Sequence, residues 1–268
     1  MGLALSKYLD PYVSENYQNP LRPERPPLVS DGGFQALQRA EGIDQYRAQV
    51  AANPINRLAR AGQNYITIPF SFNRKIPPPD LSQPWPSGQV VWMDPTADEG
   101  LPHTRPPYYI MMSRTFPEGD LVKTLLHERV HVHQRLYEPV WEKLVADAWE
   151  MKPWVGDLPT DIQARRRMNP DLLFAPLFIW KDTWVPLAIF KSSSQPKLTA
   201  VDIVWWNAKQ RTIFREAPPG WIEYFGNNPA GEHPYEIAAY LIADNPSQNK
   251  AYTAIRSRLD SLPRGENI

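Results

Sequence analysis

The chain has 268 residues, with 29 Lys and Arg balanced by 29 Asp and Glu, and it contains no cysteine. The balanced charge removes the usual electrostatic argument for a nucleic-acid partner. Without cysteine, the chain can form neither a disulfide nor a thiolate metal site, so any metal must be bound by His, Asp or Glu. The longest uninterrupted apolar run, Trp184 to Phe190, is far shorter than the roughly 18 residues of a membrane-spanning helix.

The N-terminal segment lacks the charged flank and apolar stretch of a secretory signal. We therefore expect an intracellular or cytoplasmic protein, with association with a viral particle as an alternative. Met1 to Ser6 fit the short N-myristoylation pattern at Gly2, and an accidental match is the preferred interpretation.

Proline is unusually abundant, with 30 residues. Because proline fixes φ and donates no backbone hydrogen bond, Pro20 to Pro27 and Pro77 to Pro86 are predicted to be extended arms that lie on a surface. We expect residues 1–63 to form a Pro-rich arm with short helices, and residues 64–268 to form the main domain.

The spacing of apolar residues predicts short helices and then a small sheet in the first half of the chain. The predicted helices are Phe34 to Ala52 and Ile55 to Ala61. The predicted strands, rich in β-branched and aromatic residues, are Tyr65 to Phe70, Gln89 to Met93 and Tyr108 to Met112.

The clearest helix in the chain is predicted at Leu121 to Tyr137, where Pro139 follows its end. A second helix, Val140 to Met151, is expected to restart there.

A β-rich insertion is expected at about residues 151–231. Its β-like stretches are Leu177 to Phe190 and Val201 to Phe214. The chain then returns to helix at Tyr235 to Ala243, with Pro234 as a first helical residue, and at Gln248 to Leu262. Together these elements predict an α+β fold.

The residues that carry chemistry lie in the middle of the clearest helix, where His127, Glu128 and His131 form an H-E-x-x-H motif. Residues four apart lie on the same helical face, so the two imidazoles can bind one Zn²⁺ ion. Glu128 lies beside that face and can act as general base on a metal-bound water. His133 should point away from the metal, as a surface residue or as support for a ligand, and His103 has no visible partner.

A third protein ligand is needed. The best candidate is Glu236, in the first turn of a later helix whose Ala238 and Ala239 are small enough for close approach to another helix. Glu232 and Glu223 compete with it as ligands.

The segments H-E-R-V-H-V-H-Q (127–134) and H-P-Y-E-I-A-A-Y (233–240) resemble the gluzincin branch of the zincin metallopeptidases. The resemblance implies zinc ligands at His127, His131 and Glu236, a general base at Glu128, and a small sheet packed on the active-site helix. His233 and Ala238 replace an Asn and a second Glu of the family pattern, so the resemblance does not identify the groups that orient the ligands.

A hydrolase of this kind also needs a donor for the developing oxyanion. His233, Tyr235 and Tyr240 are the candidates, because they are close in sequence to the third ligand. By the same resemblance, Tyr108 to Arg114 is the counterpart of the strand that binds an extended substrate at its exposed edge, and an ordinary internal strand is the alternative.

The leading hypothesis is a zinc-dependent peptidase that acts on a polypeptide. The alternative is a structural or assembly protein on a zincin scaffold, with or without residual activity. Pro-rich arms and 10 tryptophans would suit a subunit that contacts neighbouring proteins.

Overall fold

The structure, a computed structural model, describes residues 31–63, 67–68, 88–227, 231–246 and 248–261. Several predictions from the sequence lie outside these residues: the myristoylation pattern at Gly2, both Pro-rich arms and the ends of the predicted strand Tyr65 to Phe70.

The described elements are numbered here in chain order. The helices are α1 (Asp31–Asp44), α2 (Tyr46–Ala52), α3 (Pro54–Ala59), α4 (Leu121–Leu136), α5 (Glu138–Trp149), α6 (Thr160–Arg165), α7 (Trp221–Phe225), α8 (Pro234–Asp244) and α9 (Lys250–Asp260). The strands are β1 (Thr67–Ile68), β2 (Gln89–Met93), β3 (His103–Arg105), β4 (Tyr109–Ser113), β5 (Met151–Pro153), β6 (Phe178–Trp180), β7 (Trp184–Phe190), β8 (Val201–Asn207) and β9 (Thr212–Phe214).

The first sheet has the strand order β1-β2-β4-β3, with β2 parallel to β4 and the other two pairs antiparallel. Alternate residues of a strand point to opposite faces. The face that carries Trp92 and Ile110 packs on Leu125 of α4, and the opposite face, with Met111, packs on Ala40 of α1. Helices therefore cover both faces, and α4 is held against the sheet.

The second sheet is an antiparallel meander in the order β5-β6-β7-β8-β9, and it lies within the range expected to be β-rich. It contributes to the main core together with α4, α5, α7, α8 and α9. Of the nine tryptophans that the structure describes, seven are buried, so these side chains stabilise the chain itself and are not available for contacts with other proteins. The buried tryptophans are Trp92, Trp141, Trp149, Trp180, Trp205, Trp206 and Trp221.

Several helix boundaries differ from the predictions by one to three residues, and two differences have a clear backbone cause. The stretch predicted as one helix, Phe34 to Ala52, is two helices, because Gln45 adopts a left-handed conformation with φ 50°. The helix predicted at Val140 to Met151 ends at Trp149, because Glu150 is also left-handed (φ 56°) and Met151 begins β5.

The prediction that Tyr108 to Arg114 forms an exposed edge strand is wrong. β4 lies between β2 and β3 and pairs on both sides, so the alternative, an internal strand, is what the structure shows. Among the described residues the edge strands are β1 and β3, and β3 was not predicted by the sequence analysis. The outward N–H of Thr104 is already bonded to the carboxylate of Asp171.

The mixed α+β class is confirmed, with helices and two small sheets. Among the described residues, every helix is too short or too polar to cross a bilayer.

Candidate metal centre

Helix α4 places His127 and His131 one turn apart on one face. Their Nε2 atoms are 3.1 Å apart, and the rings meet edge to face. The His131 side chain is fully buried, whereas 13% of the His127 side chain is exposed. The pair therefore lies at the inner end of an opening to solvent.

Helix α8 brings Glu236 to the same place. Pro234 opens the helix and the ring of His233 caps it, which puts Glu236 in the first turn. Glu236 Oε2 lies 3.5 Å from the Nε2 atom of each histidine. The three donor atoms all lie within 4.8 Å of one another, so the cluster of His127, His131 and Glu236 could hold a metal ion.

Gln134 fixes the tautomer of His131. Its side-chain N–H donates to the carbonyl of Tyr235 (3.0 Å), which turns Gln134 Oε1 toward Nδ1 of His131 (2.8 Å). A carbonyl oxygen only accepts hydrogen bonds, so Nδ1 must carry the proton. In the neutral ring, the Nε2 atom of His131 then presents a lone pair to the cluster, as metal ligation requires.

The second oxygen of Glu236 is held from a distant part of the chain. Asn169 Nδ2 donates to Glu236 Oε1 at 2.6 Å and to Glu232 Oε1 at 3.2 Å. Arg167 donates to the same oxygen of Glu232. Glu232, which competed with Glu236 as a ligand, is therefore bound to Arg167 and Asn169.

Charges within and near the cluster strongly shift the pKa values of His131 and Glu236. Burial alone would lower the pKa of His131, but the carboxylates of Glu236 and Asp171 outweigh burial and raise the pKa to about 10. Burial likewise opposes ionisation of Glu236, yet His131 and His127 hold the pKa of its carboxyl well below its usual value. The cluster thus favours a positive charge between its donors.

Glu128 is 3% exposed, and its Oε2 atom has no hydrogen-bond partner among the described residues. Burial, together with the charges of Asp171 and Glu236, raises the pKa of this carboxyl well above its usual value. A buried carboxylate oxygen without a partner is costly in a finished protein core. This atom is therefore free to bind a water molecule or a substrate group.

His127 opens into a cavity of about 380 Å³. Glu128, Glu236 and Tyr240 also line it. Other residues of its wall are Tyr46, Arg60, Asp98, His103, Lys123, Arg167, Asn169 and Asp171.

Of the three predicted oxyanion donors, the structure brings only Tyr240 to this cavity, with its ring against that of His127 (centroids 4.5 Å apart). Burial raises the pKa of Tyr240 to about 12. His233 uses both ring nitrogens elsewhere: Nδ1 accepts from the Tyr235 N–H, and Nε2 donates to the Pro176 carbonyl. Tyr235 is fully buried in the main core.

The other histidines do not join the cluster. His133 points away from it as predicted, but it is 3% exposed rather than on the surface, and Nδ1 accepts from Trp141 Nε1 (2.9 Å). His103 is buried in β3, where Nδ1 donates to the Leu101 carbonyl. Glu223, the remaining competitor as a third ligand, forms an ion pair with Lys250 instead.

A stretch that we call the linking segment, residues 166–171, joins the cluster to both sheets. Its carbonyl at Arg166 accepts from Asn56 of α3, and its N–H at Arg167 donates to the Ala188 carbonyl of β7. Asp171 accepts from both the N–H and the hydroxyl of Thr104 in β3.

Sequence reasoning did not identify Gln134, Asn169 or Asp171. The position of Gln134, three residues after His131 on the same helical face, was a usable signal. No local signal relates Asn169 or Asp171 to Glu236, because 67 residues separate Asn169 from that glutamate.

Comparison with protein-family models, curated proteins and solved structures gave no match.

Proposed function

We propose that the chain is a zinc-dependent peptidase of the zincin type, with a gluzincin-like site that hydrolyses amide bonds of a polypeptide. The observation that carries this proposal is the convergence of two imidazole nitrogens and one carboxylate oxygen beside the unpartnered Oε2 of Glu128. The resemblance of segments 127–134 and 233–240 to gluzincins supports the peptide substrate.

The donor distances suit zinc. With bonds of 2.0–2.1 Å and tetrahedral angles, two ligand atoms are expected to lie roughly 3.4 Å apart. The separations in the cluster are 3.1 Å between the two imidazole nitrogens and 3.5 Å from each nitrogen to the carboxylate. Two His and one Glu leave a coordination position open, which is the pattern of catalytic rather than structural zinc sites.

Zinc bound there would polarise the substrate carbonyl and lower the pKa of a water molecule to roughly 7. Glu128 Oε2 would accept a proton from the attacking water and donate it to the leaving amine. The hydroxyl of Tyr240, which stays protonated at neutral pH, would donate a hydrogen bond to the developing oxyanion.

The substrate is expected to bind through side chains of the cavity rather than as an added strand. Strand addition needs unpaired N–H and C=O groups at a sheet edge. In the first sheet, β4 is paired on both sides, and the outward N–H of Thr104 in β3 donates to Asp171.

The test is Glu128→Gln, which keeps the size of the side chain but cannot accept the proton. We expect hydrolysis to fall at least about 100-fold, the lower end of general acid–base effects, while zinc remains bound at one ion per chain. New peptide termini in a mixture of unfolded proteins would be counted by mass spectrometry, and zinc by elemental analysis. Glu118→Gln, an exposed glutamate just before α4, is the matched control.

Equal cleavage by wild type and Glu128→Gln would contradict the assigned role of Glu128. A zinc-loaded wild type that cleaves nothing would contradict the peptidase proposal and favour the assembly alternative.

A further inference from the structure

The family resemblance leaves open which groups orient the third ligand, since Ala238 stands where the pattern has a second glutamate. The side chain of Ala238 has no polar atom, and the residue is fully buried in the main core. The contacts of Glu236 show which residue orients its carboxylate instead.

The side-chain amide of Asn169 donates hydrogen bonds to two carboxylates. Its Nδ2 atom carries two hydrogens, and it lies 2.6 Å from Glu236 Oε1 and 3.2 Å from Glu232 Oε1. It can therefore hold both anions near each other while adding no charge of its own.

The orientation of this amide is fixed by its other end. Asn169 Oδ1 accepts from the backbone N–H of Asp171 at 3.0 Å, where it caps the short 3₁₀ helix Pro170–Leu172. A flipped amide would lose this bond and turn its oxygen toward the two carboxylates. On the far side, Arg167 pairs with Glu232 and balances its charge.

We propose that Asn169 is a positioning residue for the metal centre, which holds Glu236 so that only Oε2 faces the two histidines, and that Glu232 with Arg167 holds Asn169 in turn. This inference rests on the proposed metal site. Loss of the Asn169 donor would free Glu236 to rotate and would leave two buried carboxylates facing each other. Partners that orient metal ligands typically account for 10- to 100-fold in metal affinity.

The test compares Asn169→Ala with Asn207→Ala in the full chain. Asn207 is the control, because its Oδ1 also accepts backbone N–H bonds, from Lys209 and Gln210, but in the turn between β8 and β9. It is buried, whereas Asn169 is partly buried, so the control substitution is at least as demanding for folding. Zinc affinity is measured by competition with a chromophoric chelator. Co²⁺ is then used as a spectroscopic probe, because its visible absorption band reports the ligand geometry.

We expect Asn169→Ala to bind zinc 10- to 100-fold more weakly than wild type and to change the Co²⁺ band, with Asn207→Ala unchanged in both. If Asn169→Ala does not fold, Glu232→Gln is tested instead. We expect this variant to bind zinc up to about tenfold more weakly than wild type and to change the Co²⁺ band. The proposal is refuted if the variant used matches wild type in affinity and spectrum, or if Asn207→Ala loses as much. A wild type that binds neither metal would instead refute the metal site itself.

Discussion

The two sides of the candidate metal centre are built in different ways. On the imidazole side, His127, His131 and Gln134 all belong to one helix, and Gln134 lies three residues from the ring that it orients. On the carboxylate side, Glu236 depends on Asn169, which is 67 residues away in sequence.

The two sides of the centre therefore depend on different parts of the fold. A helix fixes the spacing of its own side chains, so the spacing of His127, His131 and Gln134 depends on α4 alone. From outside α4, the imidazole side uses the Tyr235 carbonyl of α8, which orients the Gln134 amide. The carboxylate side needs α8, the linking segment and both sheets in place. The carboxylate side should therefore be the more sensitive of the two to changes elsewhere in the fold.

The largest expected effect is removal of a ligand from either side. We expect His131→Ala and Glu236→Ala each to lose the bound zinc, since two protein ligands remain in each variant. Elemental analysis of protein purified without chelators measures this loss. His133→Ala is the control on the same helix: it should keep zinc and lose about 1–3 kcal/mol of stability, because Trp141 Nε1 loses its acceptor. Zinc retained by Glu236→Ala would mean that the third ligand is another residue.

A smaller effect is expected from Gln134→Ala, the counterpart of Asn169→Ala on the imidazole side. Without Gln134 Oε1 as acceptor, Nδ1 of His131 no longer has to carry the proton, so zinc affinity should fall about 10- to 100-fold. Chelator competition measures the affinity. If the carboxylate side is the more sensitive, a mild increase in temperature should weaken zinc binding more in Asn169→Ala than in Gln134→Ala. The reverse order would show that the helix, not the linking segment, is the weaker support.

The smallest expected effect is on the stability of the metal-free protein. Asp171→Ala leaves the buried N–H of Thr104 without an acceptor, so the metal-free protein should lose about 1–3 kcal/mol in urea unfolding. Asp157→Ala, at an exposed loop position, should stay within about 0.5 kcal/mol of wild type. An Asp171→Ala variant as stable as wild type would show that the linking segment adds little to the sheet.

The sequence was sufficient for the elements whose signals are local. Periodic apolar residues and flanking prolines predicted α4 and α8 to within two residues, and the H-E-x-x-H spacing predicted the convergence of His127 and His131. The α+β class followed from the same patterns.

What the sequence did not predict depends on tertiary contacts. β3 has three residues between two prolines, too few to show alternation, and it is a strand only because β4 pairs with it. The helical period correctly predicted that His133 points away from the metal site. The burial of His133 was not predicted, because it results from packing against Trp141 of α5. The Asn-Pro-Asp run at residues 169–171 is a turn signal that cannot indicate which distant carboxylate it will meet.

The bond from Thr104 to Asp171 also bears on how this protein can behave at high concentration. An open sheet edge is a template on which another chain can pair, and folded proteins protect such edges to avoid fibrous aggregation. At β3 the outward donor is occupied by a side chain of the same molecule, and the Arg135 guanidinium contacts the Thr104 hydroxyl beside it. For another chain to pair with β3 at Thr104, the bond to Asp171 would first have to break, so this contact protects the edge while the linking segment stays in place.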